Sequence, residues 1–190
     1  EIDIRTFPQG INDENTDDFL EDVDCYVDSL DFFAMPPRIT VFDKCAQKSI
    51  PSITAAPIGM GTAYINFMPG DMTFEEHFGM NGLSEHEQYL KFFIGLTPTA
   101  IQSQYLVDPS RLDLANKKGP STIVGCQLAA GVAASQVAKI FLNRGEILNA
   151  PWVQHFDAYT NQYEKSFLEG GHTNPQQVKL FETLKLQFGI

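Results

Sequence analysis

Asp28 and Asp31 close a hydrophobic stretch, residues 25–30, and Arg38 follows a short way on. Carboxylates at the end of a strand are useful chemistry, because open α/β sheets bind ligands at the carboxyl edges of their strands. One carboxylate there can hold Mg²⁺ on a nucleotide, since Mg²⁺ takes one or two carboxylates together with phosphate oxygens and water. The same spacing also allows Asp31 to do no more than cap the loop or helix that comes next. Cys126 stands at the start of an apolar segment, where a helix dipole can favour a thiolate; it also reads as a small residue among alanines. Cys25 shares a strand face with Val23 and Val27, and Cys45 falls on a helix. No two cysteines have C-x-x-C spacing, which argues against a structural zinc site. His77, His86, His155 and His172 are dispersed and match no metal-binding spacing. The chain contains no G-x-S-x-G, no P-loop and no G-x-G-x-x-G. Gly59-Met60-Gly61 runs into a strand rather than a helix, so it reads as a bend and not a phosphate cradle.

The elements that must position these residues follow from periodicity and punctuation. Residues 2–6 alternate apolar and polar and predict a short strand. Asn15 or Thr16 caps a short helix to residue 21, with Asp17 and Asp18 where the dipole favours them. A strand over 25–30 is followed by Pro36-Pro37, which open a helix over 38–47. Strands follow over 50–58 and 62–68. Strand, helix, strand in that order predicts parallel pairing through right-handed crossovers. From residue 69 to 122 the pattern loosens into an expected crossover insertion, with one helix over 84–94 opened by a Ser84/Glu87 capping box. A helix over 125–143 ends near Gly145. Its alanines, glycine and valines are apolar on nearly every side, which predicts burial on most faces. A strand over 152–159 and an amphipathic helix over 175–188 close the chain. The expectation is one α/β domain, residues 1–190: a partial, Rossmann-like, mostly parallel sheet flanked by helices. Its parts are core strands and helices (1–68), the crossover insertion (69–122), and a buried helix, closing strand and last helix (123–190).

Composition sets limits. The 190 residues, 43% hydrophobic, can build a core. A formal net charge of −11 argues against nonspecific nucleic-acid binding and against docking on anionic lipid, which both need a basic surface. The longest apolar run, 125–142, is interrupted by Gln127, Ser135, Gln136 and Lys139, so no membrane helix is expected. Three cysteines, an odd number, and a charged start predict reduced thiols in a cytoplasmic protein. The chain opens on Glu1 rather than methionine, and a preceding segment is expected.

Several segments together resemble a known family. Residues 22–31 followed by Arg38 resemble the ThiF/MoeB pattern of a hydrophobic strand, D-x-x-D and a nearby arginine. Ile50-Pro51 through Gly59 resembles that family's next strand, and residues 61–69 the one after. Residues 125–142, read as small-residue G-x-x-A-x-x-A-x-K with Lys139 near the end, resemble the helix after its crossover loop. Residues 151–158 look like a closing strand of a bacterial branch. The likeness covers most of the chain and rests on order and spacing.

This resemblance implies an ATP-dependent adenylyltransferase that activates the C-terminal carboxylate of a ubiquitin-like or sulfur-carrier protein, working as a homodimer with ATP and Mg²⁺. It implies that Asp31 is the catalytic and metal-side aspartate, with Asp28, Asp31 and Arg38 as nucleotide-binding candidates. A carboxylate is already a nucleophile, so catalysis reduces to placing it against the α-phosphate and neutralising charge. The family's glycine-rich loop, ribose-binding acid and ATP-contacting cations lie before the segment matched here, and the chain alone is expected to be inactive. Arg38 is farther from Asp31 than the family's arginine is from its aspartate. No cysteine falls between residues 69 and 122, and no C-x-x-C pair is present, so a covalent carrier intermediate is not expected. A second reading is a non-catalytic ThiF-like dimerisation or partner-binding module. A dinucleotide-dependent oxidoreductase is disfavoured for want of a glycine fingerprint.

Overall fold

A computed structural model describes residues 2–106, 116, 117, 119 and 122–190. A five-stranded sheet runs in the order β1 (Tyr26–Asp28), β2 (Ser52–Ile58), β3 (Gly61–Phe67), β4 (Trp152–Asp157) and β5 (Gln162–Phe167). One face carries α2 (Met35–Lys48), α3 (Phe74–Phe78) and α4 (Glu85–Leu96); α5 (Ile123–Leu142) lies against β2 and β3. A first turn of helix, α1 (Thr16–Phe19), touches α2, and the last helix, α6 (Pro175–Phe188), packs on α4.

The α/β class and the helix-flanked sheet are as expected, but the strand directions are not mostly parallel. β1 and β2 pair in parallel, whereas β2–β3, β3–β4 and β4–β5 are antiparallel. The connections decide this. β1 and β2 are joined through one helix, α2, which carries the chain back to the end where β1 began, whereas α3, α4 and α5 lie between β3 and β4 and the chain re-enters the sheet at the end where β3 stopped. β2 and β3 are joined by Gly59-Met60 alone, with Ile58 paired to Gly61. A two-residue link can only make a hairpin. β5 was not expected from the sequence: its outward residues Tyr163, Lys165 and Phe167 give no apolar-in alternation, because it is an edge strand.

Local signals account for the helices. Pro36 and Pro37 occupy the first turn of α2, and Ser49 closes it with φ 56°. Ser84 and Glu87 form the expected capping box on α4, and Thr73 and Glu76 form another on α3. The strand expected over residues 2–6 is absent. Ile2 and Ile4 are exposed, and Arg5 instead ties this segment to α1 by bonds to the carbonyls of Asp18 (2.8 Å) and Glu21 (3.0 Å). Alternation alone makes no strand without a neighbour to pair with. The expectation for the helix over 125–143 is also corrected. Only Gly125, Ala129, Ala133 and Gln136 of α5 are buried, one stripe facing the sheet. By length and composition α5 could cross a membrane; here it lies on β2 and β3.

The main core lies between the sheet and α2, α3 and α4. Phe42 stacks on Phe74 at 4.4 Å between ring centres, and Phe67, Phe78 and Phe92 complete the cluster. His77 sits among these rings, 1% exposed, with Nε2 3.3 Å from the Gly95 carbonyl. Burial disfavours its charged form and, against the pull of that carbonyl, brings its pKa down to about 4. The unfolded chain protonates this imidazole at its ordinary pKa of 6.5, so the contribution is whole above that value. It is lost as pH falls toward 4, on the order of 3 kcal/mol in all. Urea midpoints measured between pH 7 and pH 4 are expected to fall steeply in the native chain and less steeply in His77→Gln.

Candidate functional site

β1 ends at Asp28, and Asp28 registers with Thr54 on β2. This pairing puts the Thr54 hydroxyl 3.0 Å from Asp28 Oδ2, which also accepts Arg38 Nε at 2.8 Å. Oδ1 accepts the Leu30 amide (3.1 Å) and, at 3.4 Å, the Tyr26 hydroxyl. Both oxygens are therefore taken, and the side chains of Asp28 and Arg38 are each 2% exposed. The rest of the guanidinium holds the loop after β1. Nη2 donates to the carbonyls of Leu30 (2.8 Å) and Asp31 (3.0 Å), and Nη1 to that of Phe32 (3.1 Å). Its flat face rests 4.5 Å from the centre of the Phe92 ring.

Expected as nucleotide contacts, Asp28 and Arg38 are engaged with each other and with this loop. A buried carboxylate and a buried guanidinium satisfy one another because neither can remain charged and unpaired away from water. Asp31 is different: it is exposed at the carboxyl edge of the sheet. Its Oδ1 accepts the Phe33 amide at 2.9 Å, so it does cap the loop, while Oδ2 lies outside that turn. Arg38 thus fixes the backbone that presents the Asp31 carboxylate. Sequence spacing showed the three residues but not their division of labour. The signal for it was Thr54, whose hydroxyl falls level with Asp28 only once the parallel register is known.

The other candidates lie apart. Among the described residues no three His, Cys, Asp or Glu side chains group as a metal site. A divalent ion at Asp31 would therefore rest on one protein carboxylate with oxygens from its ligand and water. Cys126 is exposed in the first turn of α5, Cys25 is half-buried with its thiol pushed up by burial, and Cys45 is buried and pushed up to about 12. Gly59-Met60-Gly61 is the β2–β3 hairpin tip, as its reading as a bend implied.

The ThiF family model matches residues 1–178. The chain belongs to the ThiF family. Among solved structures, Escherichia coli MccB with ATP is 18% identical and covers 89% of this chain and 44% of its own, with a TM-score of 0.52. PaaA is 10% identical over 81% of this chain and 45% of its own (TM-score 0.49). The heterocyclase TruD is 15% identical over 88% and 26% (TM-score 0.44). No curated protein sequence matches. At these identities the MccB likeness shows a shared ThiF fold. The chain spans less than half the length of the solved structures it matches.

The different settings of the three residues predict different costs. Arg38→Ala leaves Asp28 buried and unpaired and is expected to lose about 3–5 kcal/mol of stability. Asp31→Ala removes one exposed turn bond and is expected to cost about 1 kcal/mol or less. Denaturant unfolding of the two variants measures both.

Proposed function

We propose that this chain is the metal-facing portion of an ATP-dependent adenylyltransferase that activates the C-terminal carboxylate of a small ubiquitin-like or sulfur-carrier protein. In that reaction a carboxylate oxygen of the carrier attacks the α-phosphorus. The bond to the β-phosphate oxygen breaks, pyrophosphate leaves with the electron pair, and an acyl-adenylate remains. Asp31 is the residue of this chain that would hold Mg²⁺, which neutralises phosphate charge when bound. The observation that carries the reading is the exposed Asp31 carboxylate on a loop locked by the Asp28–Arg38 pair. Membership in a family of adenylating enzymes supports it, and so does MccB having been solved with ATP. The acidic balance fits a cytoplasmic protein acting on a protein partner rather than on nucleic acid or a membrane.

The second reading, a non-catalytic dimerisation or partner-binding module, is favoured by α5. Ile123 (72% exposed), Phe141 (58%) and Leu142 (65%) lie on its outer side. No charged residue occurs from Ile123 to Ala138, so two copies of an acidic chain could meet there without like-charge repulsion. A homodimer is compatible with either reading.

Three outcomes are expected. By calorimetry, the chain alone binds ATP·Mg²⁺ weakly or not at all; micromolar affinity would contradict the assignment of the ATP-gripping groups to another segment. In the intact parent, Asp31→Ala abolishes carrier-dependent pyrophosphate exchange without unfolding the protein. Unchanged exchange would favour the module. Sedimentation at tens of micromolar gives twice the monomer mass, and Phe141→Glu returns it to the monomer.

A further inference from the structure

Three loops meet at the tip of the β2–β3 hairpin. The first is the tip itself, Gly59-Met60. The second is a short 3-10 helix, Ile101–Tyr105, and the third is the turn after β4. The Tyr105 hydroxyl accepts the Met60 amide at 2.7 Å and donates to Asp157 Oδ2. Asp157 is fully buried, and its Oδ1 accepts the amides of Tyr159 (3.0 Å) and Thr160 (2.9 Å) and the Thr160 hydroxyl (3.1 Å). Burial alone would raise its pKa, but these donors together hold the carboxyl below its ordinary value. A fixed anion with one oxygen fully engaged by its own turn leaves the other as the acceptor that orients Tyr105.

The far side of the same tip is also occupied. Thr122, which caps α5 by accepting the Gly125 amide (3.0 Å), donates its hydroxyl to the Gly59 carbonyl at 2.7 Å. Thus Tyr105 is bonded to Met60 and Thr122 to the adjacent Gly59 of one turn. Glycine is required at the crossing. Gly59 has φ 58°, and a Cβ there would collide with the Tyr105 hydroxyl. A Cβ on Gly125 would lie 3.0 Å from the carbonyl oxygens of both Gly59 and Gly61. Because β1 and β2 are parallel and β2 runs on past Thr54, this tip stands on the same edge of the sheet as the end of β1 and Asp31.

We propose that Gly59-Met60 is a shared anchor that couples the end of the 3-10 helix to the start of α5, with Asp157 as the positioning residue that aims Tyr105 at it. Loosening either bond then loosens the other. The coupling does not depend on what the protein catalyses.

Amide hydrogen exchange on the whole chain tests it. Tyr105→Phe keeps the ring against Tyr159 and removes only the hydroxyl. It is expected to speed exchange at the Met60 amide about tenfold and also to speed it at Gly125, where no atom has changed. Thr122→Val is expected to do the reverse, speeding exchange at Met60; Thr122→Ser restores native rates at both ends. Asp157→Asn is expected to reproduce the Tyr105→Phe pattern. Two results overturn the proposal: acceleration confined to the mutated end, or equal acceleration at the core amides of β3.

Discussion

The buried pair of Asp28 and Arg38 is the interaction on which the carboxyl edge depends. Two ions taken from water repay the loss only if nearly every donor and acceptor finds a partner. Here Asp28 receives a guanidinium, a hydroxyl and an amide, and the guanidinium donates onward to three loop carbonyls and lies on Phe92. The pair therefore joins β1, β2, α2 and α4 at one point. Together with Phe32 and Phe33, which pack on Tyr89 and Phe92, it explains how this loop presents Asp31. The backbone carbonyl of Asp31 is held from beneath, while its side chain faces solvent.

Connection length explains the β2–β3 and β4–β5 pairs. A parallel pair needs a crossover, and α2 supplies one between β1 and β2. β3 and β5 reverse because the links before them are short, and β4 reverses because the helices before it bring the chain back to the end where β3 stopped. The hairpin tip that results then becomes a structural junction. Its glycines let three other segments approach, and Met60 gives its amide to Tyr105 and its carbonyl to the Ala158 amide (3.3 Å).

Much of this was legible in the sequence where a local rule acts alone. Pro36-Pro37 and the Ser84/Glu87 box marked helix starts, and Asp28 and Asp31 were placed at a strand's end. Legibility failed where a partner decides the outcome. Residues 2–6 have strand alternation but no adjacent strand, and β5 is a strand whose outer face is exposed, so apolar periodicity gave the wrong answer both times. Composition made α5 look buried all round, yet only Gly125, Ala129, Ala133 and Gln136 are buried. Arg38 was a nucleotide-binding candidate by family resemblance, and nothing in the sequence showed that its guanidinium pairs with Asp28. Asp31 was placed correctly on the sheet edge, and its spacing could not separate a loop cap from a ligand-holding carboxylate; the geometry contains the cap and leaves the other oxygen outside it.

The same pair limits what Arg38 can offer a ligand at this edge. In the proposed reaction a triphosphate would bring several negative charges to the edge where Asp31 adds another, and such a site would need cations aimed at the phosphates. Arg38 is the basic side chain that underlies this loop, and its donors already face Asp28 and the carbonyls of Leu30, Asp31 and Phe32. Lys44 and Lys48 on α2 face Asp17, and Lys185 faces Glu87. Redirecting Arg38 toward a phosphate would strand Asp28, at a cost far above one hydrogen bond to a nucleotide. In the proposed reaction, phosphate-neutralising cations would therefore be groups other than Arg38.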